Sequence, residues 1–147
     1  MRFLILNGPN LNLLGIREPE IYGKENYDTL LRMVQEECER LGVECVCYQS
    51  NHEGDLVDRI QAAWGNVDGI VLNPAAYTHT SIAIPDALKA VGIPTVEVHI
   101  SDINTREEYR RHSFVTPVAI ATVCGEGLLG YTHAINLLYE HLLPTDL

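Results

Sequence analysis

The chain has 147 residues, enough for one domain (residues 1–147) with a sizeable buried core. Its 46% hydrophobic and 20% charged residues exclude disorder, and no apolar run approaches the ~20 residues that span a bilayer. A formal net charge of −10 excludes the Lys/Arg-rich surface that grips a nucleic-acid backbone, so any anion site must be local.

The chain opens on Arg2–Leu6, a short apolar run that Asn7-Gly8-Pro9 ends before a signal-peptide core could form. A cytoplasmic location is expected. Leu31, Val34, Cys38 and Leu41 then recur at helical spacing, with Gly42 as C-cap. Val43–Tyr48 reads as the second strand. Ser50 or Asn51 is the expected cap of a helix whose apolar face is Val57, Ile60 and Trp64. Gly69–Leu72 is a third, continuously apolar strand, broken by Asn73-Pro74.

A helix from about Ser81 to Val91 follows, closed by Gly92 and Pro94, with Pro85 tolerable only in its first turn. Thr95–Ile100 is the fourth strand, Val118–Cys124 the fifth, and Leu128–Leu143 the last helix. Between them lies a polar connection, 101–117, with a helical turn around Arg106–Arg111 that puts Arg106 and Arg110 on one face. The four cysteines match no zinc spacing, and Cys45 and Cys47 alternate along one strand, so free thiols are expected.

Five apolar strands interleaved with helices predict an α/β, flavodoxin-like, five-stranded parallel sheet with helices on both faces. Ligands of such sheets bind beyond the carboxyl ends of the strands. Candidate chemistry is therefore sought just after each strand. Gly125-Glu126-Gly127-Leu128-Leu129-Gly130 is a literal G-x-G-x-x-G, but it stands too late in the chain for a dinucleotide unit and carries Glu126 where pyrophosphate would sit. Close helix–strand packing is the better reading. A phosphoryl-accepting receiver needs clustered aspartates after the first strand and a lysine after the fifth, where this chain has Asn7 and Cys124.

Glu97 and His99 stand at i and i+2 of a buried strand, so both project from one face at the ligand end. A buried glutamate needs a partner, so a satisfied polar pair at a sheet edge is one reading. An imidazole held by a carboxylate, as a general acid or base requires, is the other, and the position at the ligand end favours it. The long loop 7–23 contains Arg17 and Tyr22, where an arginine beside a phenol favours the phenolate; a solvated arginine and a packing tyrosine are the other reading. After the third strand, Asn73 and His79 are the better site candidates, with Thr80 and Ser81 read as helix caps. Arg106 and Arg110 supply local positive charge, and Arg111 reads as solvated.

Taken together, these segments resemble the type II 3-dehydroquinate dehydratase family. The similar blocks are Asn7-Gly8-Pro9-Asn10-Leu11 with Gly15, Arg17-Glu18-Pro19 and Tyr22-Gly23, then Ser50–Gly54, Asn73–Ser81, Glu97–Ser101 and Arg106–Ser113, in the family's order. Ala75, where glycine is common, and Pro85 are small variations. The resemblance implies a cofactor-free hydro-lyase, without metal, that interconverts 3-dehydroquinate and 3-dehydroshikimate by anti elimination through an enolate. It implies Tyr22 as base with Arg17 beside it, His99 as acid oriented by Glu97, and Asn10 on a water or the enolate oxygen. It further implies substrate contacts from Asn73, His79, Ile100, Ser101 and Arg110, with Arg106 as a lid partner. Finally, it implies a dodecamer built of trimers, in which Asp86 of a neighbouring subunit reaches the site. A flavin- or nucleotide-binding module on the same fold is the competing reading. It would need a phosphate-cradling loop after the first strand, and Asn7-Gly8-Pro9-Asn10 offers one glycine and no Lys-Ser/Thr.

Overall fold

The apolar runs pair into a single five-stranded parallel sheet in a computed structural model that describes residues 1–16 and 25–145. Its strands are β1 (Arg2–Asn7), β2 (Glu44–Gln49), β3 (Gly69–Asn73), β4 (Thr95–His99) and β5 (Ala121–Cys124), in the spatial order β2-β1-β3-β4-β5. The helices are α1 (Tyr27–Leu41), α2 (Glu53–Ala63), α3 (Ala83–Val91) and α4 (Leu129–Leu142). This is flavodoxin-like order with the reversal between β1 and β3. Among the described residues, no helix is long and apolar enough to cross a membrane.

Strand alternation sorts the core into two layers. Phe3, Ile5, Val71, Val96, Val98 and Val123 face α1 and α4, meeting Leu30, Val34, Tyr131, Ile135 and Leu138. Leu4, Leu6, Ile70 and Leu72 face α2 and α3, meeting Leu56, Ile60, Ile84 and Leu88. Helices therefore cover both faces, which explains why the central strands read as unbroken apolar runs. The G-x-G-x-x-G segment does serve packing. A side chain at Gly130 would lie 3.4 Å from Val98 and Val123, so α4 sits close against the sheet.

Several local expectations shift. Leu30, rather than Leu31, is the buried residue of the first turn of α1. On α2 the buried stripe is Leu56, Ile60 and Ala63, and Trp64 is 73% exposed beyond the helix end. Neither Ser50 nor Asn51 is the cap residue of α2. That place is His52, while Ser50 Oγ accepts from His52 N at 3.0 Å and donates to Asp55 Oδ2 at 2.7 Å. The cap residue of α3 is likewise Ile82 rather than Thr80 or Ser81, although Ser81 Oγ accepts from Ile84 N at 3.0 Å; Pro85 falls in the first turn of α3 as expected. β5 begins only at Ala121, because Thr116–Val118 forms a 3-10 turn. The expected helical turn over 106–111 is two 3-10 turns, Ile103–Thr105 and Glu108–Arg110, with Arg106 extended between them. Arg106 and Arg110 thus share no helical face. All four cysteines are free thiols.

Candidate active site

A cavity of about 300 Å³ opens beyond the carboxyl ends of β1, β3 and β4, at the reversal point of the sheet. Its first wall is the chain leaving β1. Gly8 N donates to Asn73 O at 2.8 Å, and a Cβ on Gly8 would lie only 2.5 Å from Pro74 O. Asn10 then turns into the left-handed region (φ 69°), its N–H donating to Asn51 Oδ1 at 3.0 Å. Gln49 Nε2 donates both to Gly8 O and to Asn51 Oδ1, at 3.1 Å each, so β2 braces the same loop.

Behind this wall runs a buried chain of neutral groups. Tyr131 of α4 donates to Asn7 Oδ1 at 2.6 Å and accepts from Asn73 Nδ2 at 2.9 Å. Asn7 and Asn73 are register partners on β1 and β3, so one phenol ties two strand ends together from below. Complete burial pushes that phenol well above its usual value, so it stays protonated and can donate. Asn73 Oδ1 in turn accepts from Ala75 N at 3.0 Å, holding Ala75 at φ 52°, a conformation ordinarily left to glycine.

The β4 side carries the charge. Glu97 is completely buried, and its carboxylate meets four donors. His99 Nε2 and Ser113 Oγ reach Oε2 at 2.6 Å each, and Thr116 Oγ1 and Thr122 Oγ1 reach Oε1 at 2.6 and 3.0 Å. Burial alone would raise the carboxyl's pKa. The hydrogen bond and charge of His99, with the hydroxyls of Ser113 and Thr116, outweigh it and hold the group below its ordinary value. An ionised carboxylate only accepts, so Nε2 of His99 carries hydrogen and Nδ1 is left for exchange at the cavity. The histidine on the opposite wall is oriented in the same way. His79 Nδ1 lies 2.8 Å from His112 O, which can only accept, so Nε2 of the neutral ring is an acceptor.

Cationic groups close the third side. Arg106 and Arg110 both line the cavity despite sharing no helical face. Arg106 Nη1 donates to Ser101 Oγ at 3.4 Å, and Arg110 Nε pairs with Glu107 at 3.0 Å. The loop 125–127 supports the backbone here, Gly125 N and Gly127 N donating to His99 O and Ile100 O at 3.2 and 3.0 Å. Among the described residues no group of three His, Cys, Asp or Glu side chains converges as a metal site.

The cavity therefore gathers Asn10, Asn73, His79, His99, Ile100, Ser101, Arg106 and Arg110, with Glu97 directly behind His99. Asp86 stands on the exposed side of the first turn of α3 and does not line it. Arg17 and Tyr22 lie outside the described residues. Sequence reasoning missed the apolar lining of Leu11, Leu13, Leu14 and Ile103, and the supporting groups Asn7, Tyr131, Ser113, Thr116 and Thr122. The hydroxyls of Ser113 and Thr116 carried no signal, whereas an asparagine ending each of two paired strands could have pointed to Asn7.

A flavodoxin-like sheet with a carboxylate-bonded histidine and two arginines at its switch point has the arrangement of a small α/β enzyme site. A family profile described as dehydroquinase class II matches residues 1–139. A 3-dehydroquinate dehydratase of Clostridium acetobutylicum is 54% identical over 142 residues, covering 97% of this chain and 99% of that protein. A catabolic 3-dehydroquinase of Verticillium alfalfae is 51% identical over 145 residues, covering 99% of this chain and 97% of its own length. The crystal structure of a type II dehydroquinase from Butyrivibrio crossotus superposes with a TM-score of 0.93 at 54% identity, covering 95% of this chain and 97% of that one. The chain belongs to the class II dehydroquinase family and, as a member, is an enzyme, a hydro-lyase.

Proposed function

We propose that this enzyme catalyses the reversible anti elimination of water from 3-dehydroquinate to 3-dehydroshikimate, in the shikimate or the quinate route, in the cytoplasm. The observation that carries the reading is the buried Glu97–His99 pair opening on a cavity lined by Arg106 and Arg110. Relatives at about half identity bear the name 3-dehydroquinate dehydratase.

In this reading Tyr22, as phenolate beside Arg17, removes the C2 proton. The electron pair passes to the carbonyl oxygen as an enolate, where Asn10 holds that oxygen or a water against it. Collapse of the enolate expels the hydroxyl, and His99 gives it a proton so that it leaves as water. Glu97 keeps the hydrogen of Nε2, so His99 acts as the imidazolium, gives up the proton on Nδ1 and is left as the neutral Nε2–H ring. Asn73, His79, Arg110 and the backbone of Ile100 and Ser101 hold the substrate's hydroxyls and carboxylate, and Arg106 is a partner of the lid. No cofactor enters any step. The assembly belongs to the same proposal: a dodecamer of trimers in which Asp86 of one subunit completes a neighbour's site.

The test is a direct assay with 3-dehydroquinate, following the conjugated enone in the ultraviolet. Tyr22→Phe is expected to lower turnover by at least about 10²-fold, the lower scale for a general base, with KM largely kept. Wild-type protein that forms no enone defeats the proposal, and near-normal turnover in Tyr22→Phe removes Tyr22 from it.

A further inference from the structure

Residues 112–116 run from just past the last cavity-lining arginine into the 3-10 turn before β5, and they bond to His79 directly and to His99 through Glu97. On one side His112 O takes the hydrogen of His79 Nδ1 at 2.8 Å. On the other, Ser113 Oγ and Thr116 Oγ1 each donate to Glu97 at 2.6 Å, one to each carboxylate oxygen. The segment is itself well anchored. Phe114 N donates to Thr78 O at 3.0 Å, and Val115 is fully buried in the layer under α2 and α3. Ser113 Oγ, besides donating, accepts from Val115 N and Thr116 N at 3.2 Å each, which folds the segment into a tight turn.

We propose that residues 112–116 form a strap that orients both cavity histidines together, with Ser113 and Thr116 as positioning residues for Glu97 and His99, and the His112 carbonyl as the positioning group for His79. The catalytic consequence rests on the acid role proposed above for His99. The physical reason is the accounting of lone pairs at Glu97. A carboxyl group turns readily about its last torsion, which has broad minima. Here each oxygen is pinned by two donors, so the plane of the carboxylate, and with it the imidazole ring, has one orientation. Thr116 and Thr122 are exposed residues whose hydroxyls turn inward to a completely buried carboxylate. They stand where water would otherwise reach Oε1.

Because Thr116 is on the surface, Thr116→Val removes the hydroxyl with little threat to folding. The variant is expected to lose about tenfold in kcat, the scale of one hydrogen bond to a charged group, with KM within about twofold. Thr116→Ser is expected to restore it. Nitrogen-15 NMR of the imidazoles gives a readout that needs no turnover. Thr116→Val is expected to move the His99 resonances and leave those of His79 in place, while Ser113→Ala, which opens the turn, moves both. Unchanged His99 resonances and unchanged kcat in folded Thr116→Val would overturn the strap, as would failure of Thr116→Ser to restore either. If wild-type protein proves inactive on 3-dehydroquinate, the proposed reaction falls, and the NMR shifts still decide the strap.

Discussion

Where β1 and β3 end, the cavity is held by neutral groups: the phenol of Tyr131 and the amides of Asn7 and Asn73, each sealed in the core. Where β4 ends, it is held by an ionised carboxylate with four donors around it. The first arrangement fixes shape, because no proton in it changes hands near neutral pH. The second fixes where a proton sits. The two supports share no residue: the neutral one is tied through α4, and the charged one through β5 and the segment before it. That separation lets one be altered while the other is watched.

The largest effect is expected from breaking the charged side. His99→Ala is expected to lower kcat by at least about 10²-fold, as for loss of a general acid, and Glu97→Gln to lower it less, through lost orientation. Steady-state kinetics with circular dichroism checks both, and an activity loss in Glu97→Gln that merely tracks unfolding would remove the orienting role. Next, the two sides are expected to differ in how stability depends on acid. Glu97 has a depressed carboxyl pKa in the folded chain. Its contribution is therefore present above the unfolded-state value of about 4.3 and is lost as pH falls through the lower folded value. In urea unfolding, the penalty of Glu97→Gln is expected to shrink over that window. Tyr131→Phe leaves two buried amide groups short of a partner, at a cost of about 1–3 kcal/mol that stays the same at pH 7 and pH 4. A Tyr131→Phe penalty that also shrank with acid would erase the contrast. The smallest effect belongs to Ala75. Relief of its left-handed backbone, about 1–2 kcal/mol, is offset by glycine's unfolded-state entropy of about 0.4–1 kcal/mol. Ala75→Gly is thus expected to stabilise by between about 0 and 1.6 kcal/mol in the same titration.

Much of the β4 side was legible from spacing alone. Two polar residues at i and i+2 in a buried strand must share a face, and Glu97 and His99 do meet there. Thr122 was not legible, because its place beside Glu97 is set by the register of β5 on β4, which local sequence does not encode. Trp64 was misassigned because it continues an apolar spacing past the point where the helix ends, and Leu56, one position before Val57, carries the burial instead. Arg106 and Arg110 were placed on a helical face that does not form, yet both reach the cavity, because two successive 3-10 turns fold the connection back over it. The tie between Asn7 and Asn73 passes through Tyr131, 58 residues beyond Asn73 in the chain, and no local pattern announces such a contact.

The close approach of Gly8 to Pro74 bears on which sequences this fold can accept. Glycine is usually irreplaceable where the backbone needs a positive φ, but Gly8 is not among the positive-φ glycines. Its constraint is purely one of room, since even a methyl group would lie 2.5 Å from a carbonyl oxygen at the sheet's reversal point. An amino-acid alphabet of one is imposed there by the backbone just past β3 rather than by the residue's own torsions. No compensating change of side chain at position 74 can relax it, because the atom in the way belongs to the main chain.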